Sequence, residues 1–122
     1  MKIARTLAER DPANSGWQRD LSLSLDKIGD IKMEMGDRAA ALAAYDEGAA
    51  ITRRLVAINA SNAGWKFDMV IGLYKIASAT EGSHRTDAIN EALEIALRLK
   101  ADEDLAADQQ SLPDDVRAML AE

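Results

Sequence analysis

"NSGWQRDLSLSLDKIGD" occupies residues 14–30, and "NAGWKFDMVIGLYKIAS" occupies residues 62–78. Each reads Asn, then Gly-Trp two residues on, then Asp, then Leu-x-Lys-Ile. Trp17 and Trp65 are 48 residues apart. When residues 5–30 are set against 53–78, nine of 26 positions are identical: Arg5/Arg53, Leu7/Leu55, Asn14/Asn62, Gly16/Gly64, Trp17/Trp65, Asp20/Asp68, Leu25/Leu73, Lys27/Lys75 and Ile28/Ile76. Ordinary residue usage gives about two by chance. A repeat of about 20–50 residues is the mark of a stacked architecture, in which each unit buries its apolar face against the next.

One unit can be read residue by residue. Asn14 and Ser15 are good N-caps. Ser15 with Gln18 has the form of a capping box, where a hydroxyl and an amide satisfy the free N–H groups of a helix start. Trp17, Leu21, Leu25, Ile28, Ile31 and Met35 follow in three- and four-residue steps, the period of a buried helix face. Gly36-Asp37 ends that helix, with glycine as the natural stop. A second helix is predicted over residues 38–58, with Ala41, Leu42, Tyr45, Ala49 and Val56 on its buried line and Thr52 between. Seven of the thirteen residues 38–50 are alanine, which lets the two helices of a hairpin approach closely. Residues 59–62 read as a turn, 65–79 as a helix, "TEGSHR" (80–85) as a loop, and 86–100 as a helix turning Ile89, Ala92, Leu93 and Ala96 inward.

The two ends differ from these units. Residues 2–10 align with 50–58 and read as the close of an earlier hairpin, ended by Asp11-Pro12. Ile3 and Leu7 leave an apolar face there, so either an upstream segment or homodimer formation through this end is expected to cover it. Residues 101–122 lack the Trp motif. Ser111, Pro113 and Asp114 look like a helix start, with proline in the first turn and acids at the positive end of the dipole. Leu112, Val116, Met119 and Leu120 give it an apolar stripe, which suits an element covering the last hairpin. The expected organisation is one all-α domain, 1–122, of antiparallel helical hairpins: 1–10 the end of a preceding hairpin, 15–58 the first repeat, 63–100 the second, and 101–122 a C-terminal capping helix.

Composition agrees with this reading. The length suits one domain, and 48% hydrophobic with 30% charged residues is globular. Aromatics are 4%, so the core must be aliphatic and alanine-rich, and such residues favour helices packed on helices. Net charge is −6, and Arg53-Arg54 is the largest basic cluster, so nucleic acid is not an expected partner. Cysteine is absent, which excludes disulfides and thiolate metal sites and fits a reducing, cytoplasmic setting. No apolar run has the roughly 20 residues of a membrane span, and the first residues do not read as a signal peptide.

The stretch "LDKIGDIKMEMGDRAAALAAYDEGAAI" (25–51) closely resembles a tetratricopeptide repeat (TPR). In that family the first helix carries a large residue, then an apolar-Gly pair, then a Gly seven residues on. The second helix carries a small residue, an aromatic four later and a small residue three after that. These fall on Leu25, Ile28-Gly29, Gly36, Ala41, Tyr45 and Gly48, with Arg53 in place of the usual closing proline. The second hairpin follows with Leu73, Ile76-Ala77, a loop one residue shorter, then Ala88, Ala92 and Ile95. The period exceeds the ~34 residues of ordinary TPRs and resembles the extended repeats of kinesin light chain type and of long bacterial arrays. The resemblance covers residues 3–100. It implies hairpins stacked in a right-handed superhelix, and a non-catalytic scaffold that binds a partner peptide or helix in its concave groove. The alternative is the structural or self-associating C-terminal end of a longer array.

With that frame, Trp17, Trp65, Gly29, Gly36, Ala41 and Tyr45 read as the structural signature of the repeat. Each Trp plugs the gap between neighbouring hairpins, or else stacks on a ligand. His84, the single histidine, has no Cys or second His with which to hold a metal. No catalytic residue, metal or cofactor is expected. The best constellation is acidic: Asp26, Asp30 and Glu34 recur every four residues and share one helix face. The TPR resemblance implies that Asp26 and Asp30 face the groove, with Met33 beside them and Ile71, Tyr74 and Ser78 on the next hairpin. That face is either solvated surface or a protein- or peptide-binding site. Ion pairs between neighbouring hairpins, through Lys27, Lys75, Asp20 and Asp68, fit the repeat.

Overall fold

The computed structural model describes residues 5, 6, 9–11 and 13–121. Its helices are α1 (Ser15–Glu34), α2 (Arg38–Ile58), α3 (Ala63–Ala79), α4 (Gly82–Ala101) and α5 (Leu112–Ala118), with 3-10 turns at Ala107–Gln109 and Met119–Ala121. Residues 5, 6, 9 and 10 are also helical, and no strand occurs among the described residues. Ile3 and Leu7, expected to leave an apolar face, lie outside them.

The repeated Asn-x-Gly-Trp is a helix start. Asn14 Oδ1 accepts from the Trp17 amide at 3.1 Å, and Asn62 Oδ1 from the Trp65 amide at 3.0 Å. A Cβ on Gly16 or Gly64 would stand 3.3 or 3.4 Å from the capping oxygen, so glycine leaves room for the cap. The capping box expected from Ser15 and Gln18 is displaced: the cap is one residue earlier, and Ser15 is the first helical residue. Gly36, at φ +80°, turns the chain after α1, and Asp37 caps α2 by accepting from the Ala40 amide at 3.1 Å.

The start of α4 corrects the expected loop at 80–85. The helix begins at Gly82, with φ +70°, after the extended residues Thr80 and Glu81. No side chain caps it, so the usual signal is missing from the sequence. Its first turn carries His84 and Arg85. The Arg85 guanidinium donates to the carbonyls of Ala77 and Met119. Ala77 lies in the last turn of α3, whose carbonyls have no acceptor role inside the helix. Arg85 therefore joins the end of α3 to the chain beyond α5.

Polar pairs define how the helices run. Within the first hairpin, Ser22 meets Thr52 at 2.7 Å and Asp30 meets Tyr45 at 2.6 Å, so α1 and α2 are antiparallel. Between hairpins, Arg19 pairs with Asp68 and Asp30 with Lys75, linking α1 to α3 in the same direction. Arg53 with Glu91 and Arg38 with Glu81 link α2 to α4 likewise. Ion pairs thus link first helix to first helix and second to second. Also, α2 packs on α3 and α5 on α4.

One core cluster runs from Ala41 and Tyr45 through α3 and α4 to Leu105, Val116 and Met119. A smaller one joins Leu21, Leu25, Ile51 and Leu55, with Trp65 packed on it from the second hairpin. The expected stripe on α1 holds for Leu21 and Leu25 and fails further on, where Ile31 is 55% and Met35 67% exposed. The buried face instead runs through Ser22, Asp26 and Gly29. Small residues there admit α2: a Cβ on Gly29 would overlap the Tyr45 ring. The corresponding positions of the second hairpin hold Ala77 and Ala92, both fully buried, where two intermediate side chains replace one absent and one large.

Candidate functional site

The four-residue spacing of Asp26, Asp30 and Glu34 places three acids along α1, and the fold gives each a different environment. Glu34 is exposed. Asp30 is half-buried with both oxygens engaged: Oδ1 accepts from the Tyr45 hydroxyl at 2.6 Å and Oδ2 from Lys75 Nζ at 2.9 Å. Partial burial opposes its ionisation, but the Tyr45 and Lys75 donors outweigh it and hold its carboxyl below the usual range. Tyr45 is correspondingly harder to ionise, first through burial and then through its hydrogen bond to Asp30 and the Asp30 charge.

Asp26 is not on a solvated face. It is 8% exposed, and its Oδ1 is buried with no hydrogen-bond partner. A Cβ on Gly48 would lie 3.1 Å from that oxygen, so the carboxyl rests over the α2 backbone. Burial pushes its pKa up to about 6; Lys75 opposes the shift, and the charges of Asp30 and Asp68 add to it. Nearby, Arg19 grips Asp68 through Nε at 2.7 Å and Nη2 at 3.3 Å. The seam between α1 and α3 is therefore a charged strip held by the protein itself. Its acids already have partners or are buried, so it offers little to an incoming cation.

The residues expected on the second hairpin are more open. Ile71 and Tyr74 line a groove of about 420 Å³ with Leu112, Asp115, Ala118 and Met119. Tyr74 is 39% exposed. Ser78 is outside this groove, and its hydroxyl donates to the Tyr74 carbonyl at 3.1 Å. Met33 is half-buried against the main core. Of the seven residues expected to form one face, Asp26 and Asp30 lie in the charged seam and Ile71 and Tyr74 in the apolar groove, while Met33, Glu34 and Ser78 belong to neither. Asp115 and the C-terminal wall of that groove were invisible to repeat alignment, because residues 101–122 have no counterpart in either unit. Their only signal was the short stripe Leu112, Val116, Met119 and Leu120, of which Leu120 is in fact exposed.

A second groove, of about 210 Å³, lies between α2 and α4 and is lined by Asp46, Arg53, His84, Asp87 and Glu91 over apolar Leu73 and Ile76. Arg53 is engaged by Glu91, and His84 Nε2 stands 3.9 Å from Asp46 Oδ1. Among the described residues no group of three His, Cys, Asp or Glu side chains could hold a metal ion, and no helix is long and apolar enough to cross a membrane. Trp65 packs on the smaller cluster, Trp17 is half-buried, Ala41 is fully buried and Gly36 lies in the turn. No family model matches the chain, and no curated protein or solved structure is significantly similar to it.

Proposed function

We propose that this chain is a non-catalytic, TPR-type interaction scaffold that holds a partner peptide or helix against α3 and α5. The observation that carries the reading is the groove of Ile71, Tyr74, Leu112 and Met119, with Asp115 on its edge. Tyrosine at an open apolar surface presents a large, rigid contact area, and aromatic anchors dominate binding at protein interfaces. The partner segment that fits has a bulky apolar residue for the groove and Lys or Arg beside it for Asp115. Exposed charge pairs contribute only about 0–1 kcal/mol, so Asp115 orients the partner and Tyr74 supplies affinity.

Selection of peptides from a random displayed library on the folded chain tests this. Selected peptides should share an apolar-basic pattern. Tyr74→Ala should weaken them about tenfold or more, and Asp115→Asn should chiefly flatten the salt dependence. Peptides that bind both variants like the parent place the interaction elsewhere. A second reading, stacking against further repeats as part of an array, is favoured by an observation on another face of α1.

A further inference from the structure

Asp20 and Lys27 are the repeat equivalents of Asp68 and Lys75. On α3, that pair faces α1: Asp68 holds Arg19, and Lys75 holds Asp30. On α1, Asp20 and Lys27 are exposed and, among the described residues, make no ion pair or hydrogen bond. Seven residues apart, they stand two turns from each other on one helix face. The same pattern continues on the second helices. Arg5 pairs with Glu47 on α2 at 3.0 Å, and its repeat equivalent Arg53 pairs with Glu91 on α4, about one helical turn away from the position equivalent to Glu47.

We propose that the Asp20–Lys27 face of α1 docks a further helical hairpin of this repeat type, whose first helix brings an arginine to Asp20 and, eleven residues later, an aspartate to Lys27. Charge complementarity selects this occupant, because the chain already shows the same four charges paired across the α1–α3 seam. That seam carries no unpaired exposed cation or acid at these positions, whereas the outward face carries one of each. The face is distinct from the Tyr74 groove, so either proposal can fail without the other.

The test is an in-register insertion. A second copy of residues 11–58 is placed between residues 10 and 11 of the full chain, so that the copied Arg19 and Asp30 meet the original Asp20 and Lys27. The extended chain should melt in one transition above the parent. Asp20→Asn or Lys27→Met should lower its midpoint by about 1–4 °C and leave the parent unmoved. Exchanging the charges, Asp20→Arg with Arg19→Asp in the copy, should restore it. The proposal is overturned if the inserted hairpin melts separately, or if the substitutions act equally in both chains. It is also overturned if the parent is a dimer that Asp20→Asn and Lys27→Met dissociate, since a second copy is then the occupant.

Discussion

The Asp26 carboxylate lies over the α2 backbone with one oxygen buried and unbonded, so its charge costs stability. Unfolded, the group titrates near 3.8; folded, it titrates near 6. Below about pH 4 both states are protonated and the cost is absent. Between these values the folded state keeps a proton that the unfolded state has released, so stability falls as pH rises, and above pH 6 the cost is complete, at about 3 kcal/mol. Asp30, whose pKa is lowered, has the opposite sign: its contribution is present at neutral pH and is lost on acidification. Asp26→Asn should therefore stabilise the chain by about 3 kcal/mol at pH 8 and far less at pH 4. Urea unfolding at both pH values checks this, and an equal gain at both would refute it. At Gly29 a methyl group would overlap the Tyr45 ring, and overpacking of this kind costs about 1–3 kcal/mol, more than the roughly 1 kcal/mol that alanine gains in helix propensity. Gly29→Ala should destabilise the chain, and Tyr45→Ala in the same molecule should relieve that loss, copying the Ala77 and Ala92 pairing of the second hairpin. Additive losses in thermal melts would mean that the two positions do not share space. Spacing showed that Asp26 and Asp30 share a side of α1. It could not show that one is sealed under α2 while the other meets Lys75, because burial is decided by the angle at which two further helices approach.

The helix starts of α1, α2 and α3 were legible because each rests on a local device: Asn14, Asp37 and Asn62 accept from the amide three residues on. Such caps contribute about 1 kcal/mol. Asn62→Ala should lower stability by about that amount, while Asn62→Asp should preserve most of it; calorimetry on the two variants distinguishes a cap from simple packing. The start of α4 was not legible, because Glu81 makes no capping bond and the stabilising contact is remote: Arg85 reaches the carbonyls of Ala77 and Met119. A contact between residues 34 apart in sequence leaves no trace in a local window. The stripe ending in Ile31 and Met35 failed for a related reason. Three- and four-residue spacing finds an apolar face, but α2 packs where the backbone can come closest, over Ser22 and Gly29.

Across the molecule the apolar core is uneven. The larger cluster joins α2, α3, α4 and the residues of α5 and its following turn, including the fully buried Val116. At the other end, α1 contributes Leu21 and Leu25 to a four-residue cluster that Trp65 connects to the second hairpin. Stability in a stack of this kind is a sum of unit and neighbour terms, and the end with the weaker neighbour opens first. Length alone argues otherwise, since α5 has 7 residues and α1 has 20. Burial decides for the opposite order, because Pro113 is buried and Val116 and Met119 belong to the main core. Native-state hydrogen exchange should therefore show the slowest amides in the middle of α3 and α4. Those of α5 should come next, and those in the first turns of α1 should exchange well before global unfolding. Trp65→Ala should widen the difference by loosening the hold of the second hairpin on Leu21, Leu25, Ile51 and Leu55, speeding exchange in α1 while leaving α4 protected. If α5 exchanges before α1 in the parent, or if Trp65→Ala loosens α4 as much as α1, the two clusters act as one cooperative core and stability does not divide along the stack.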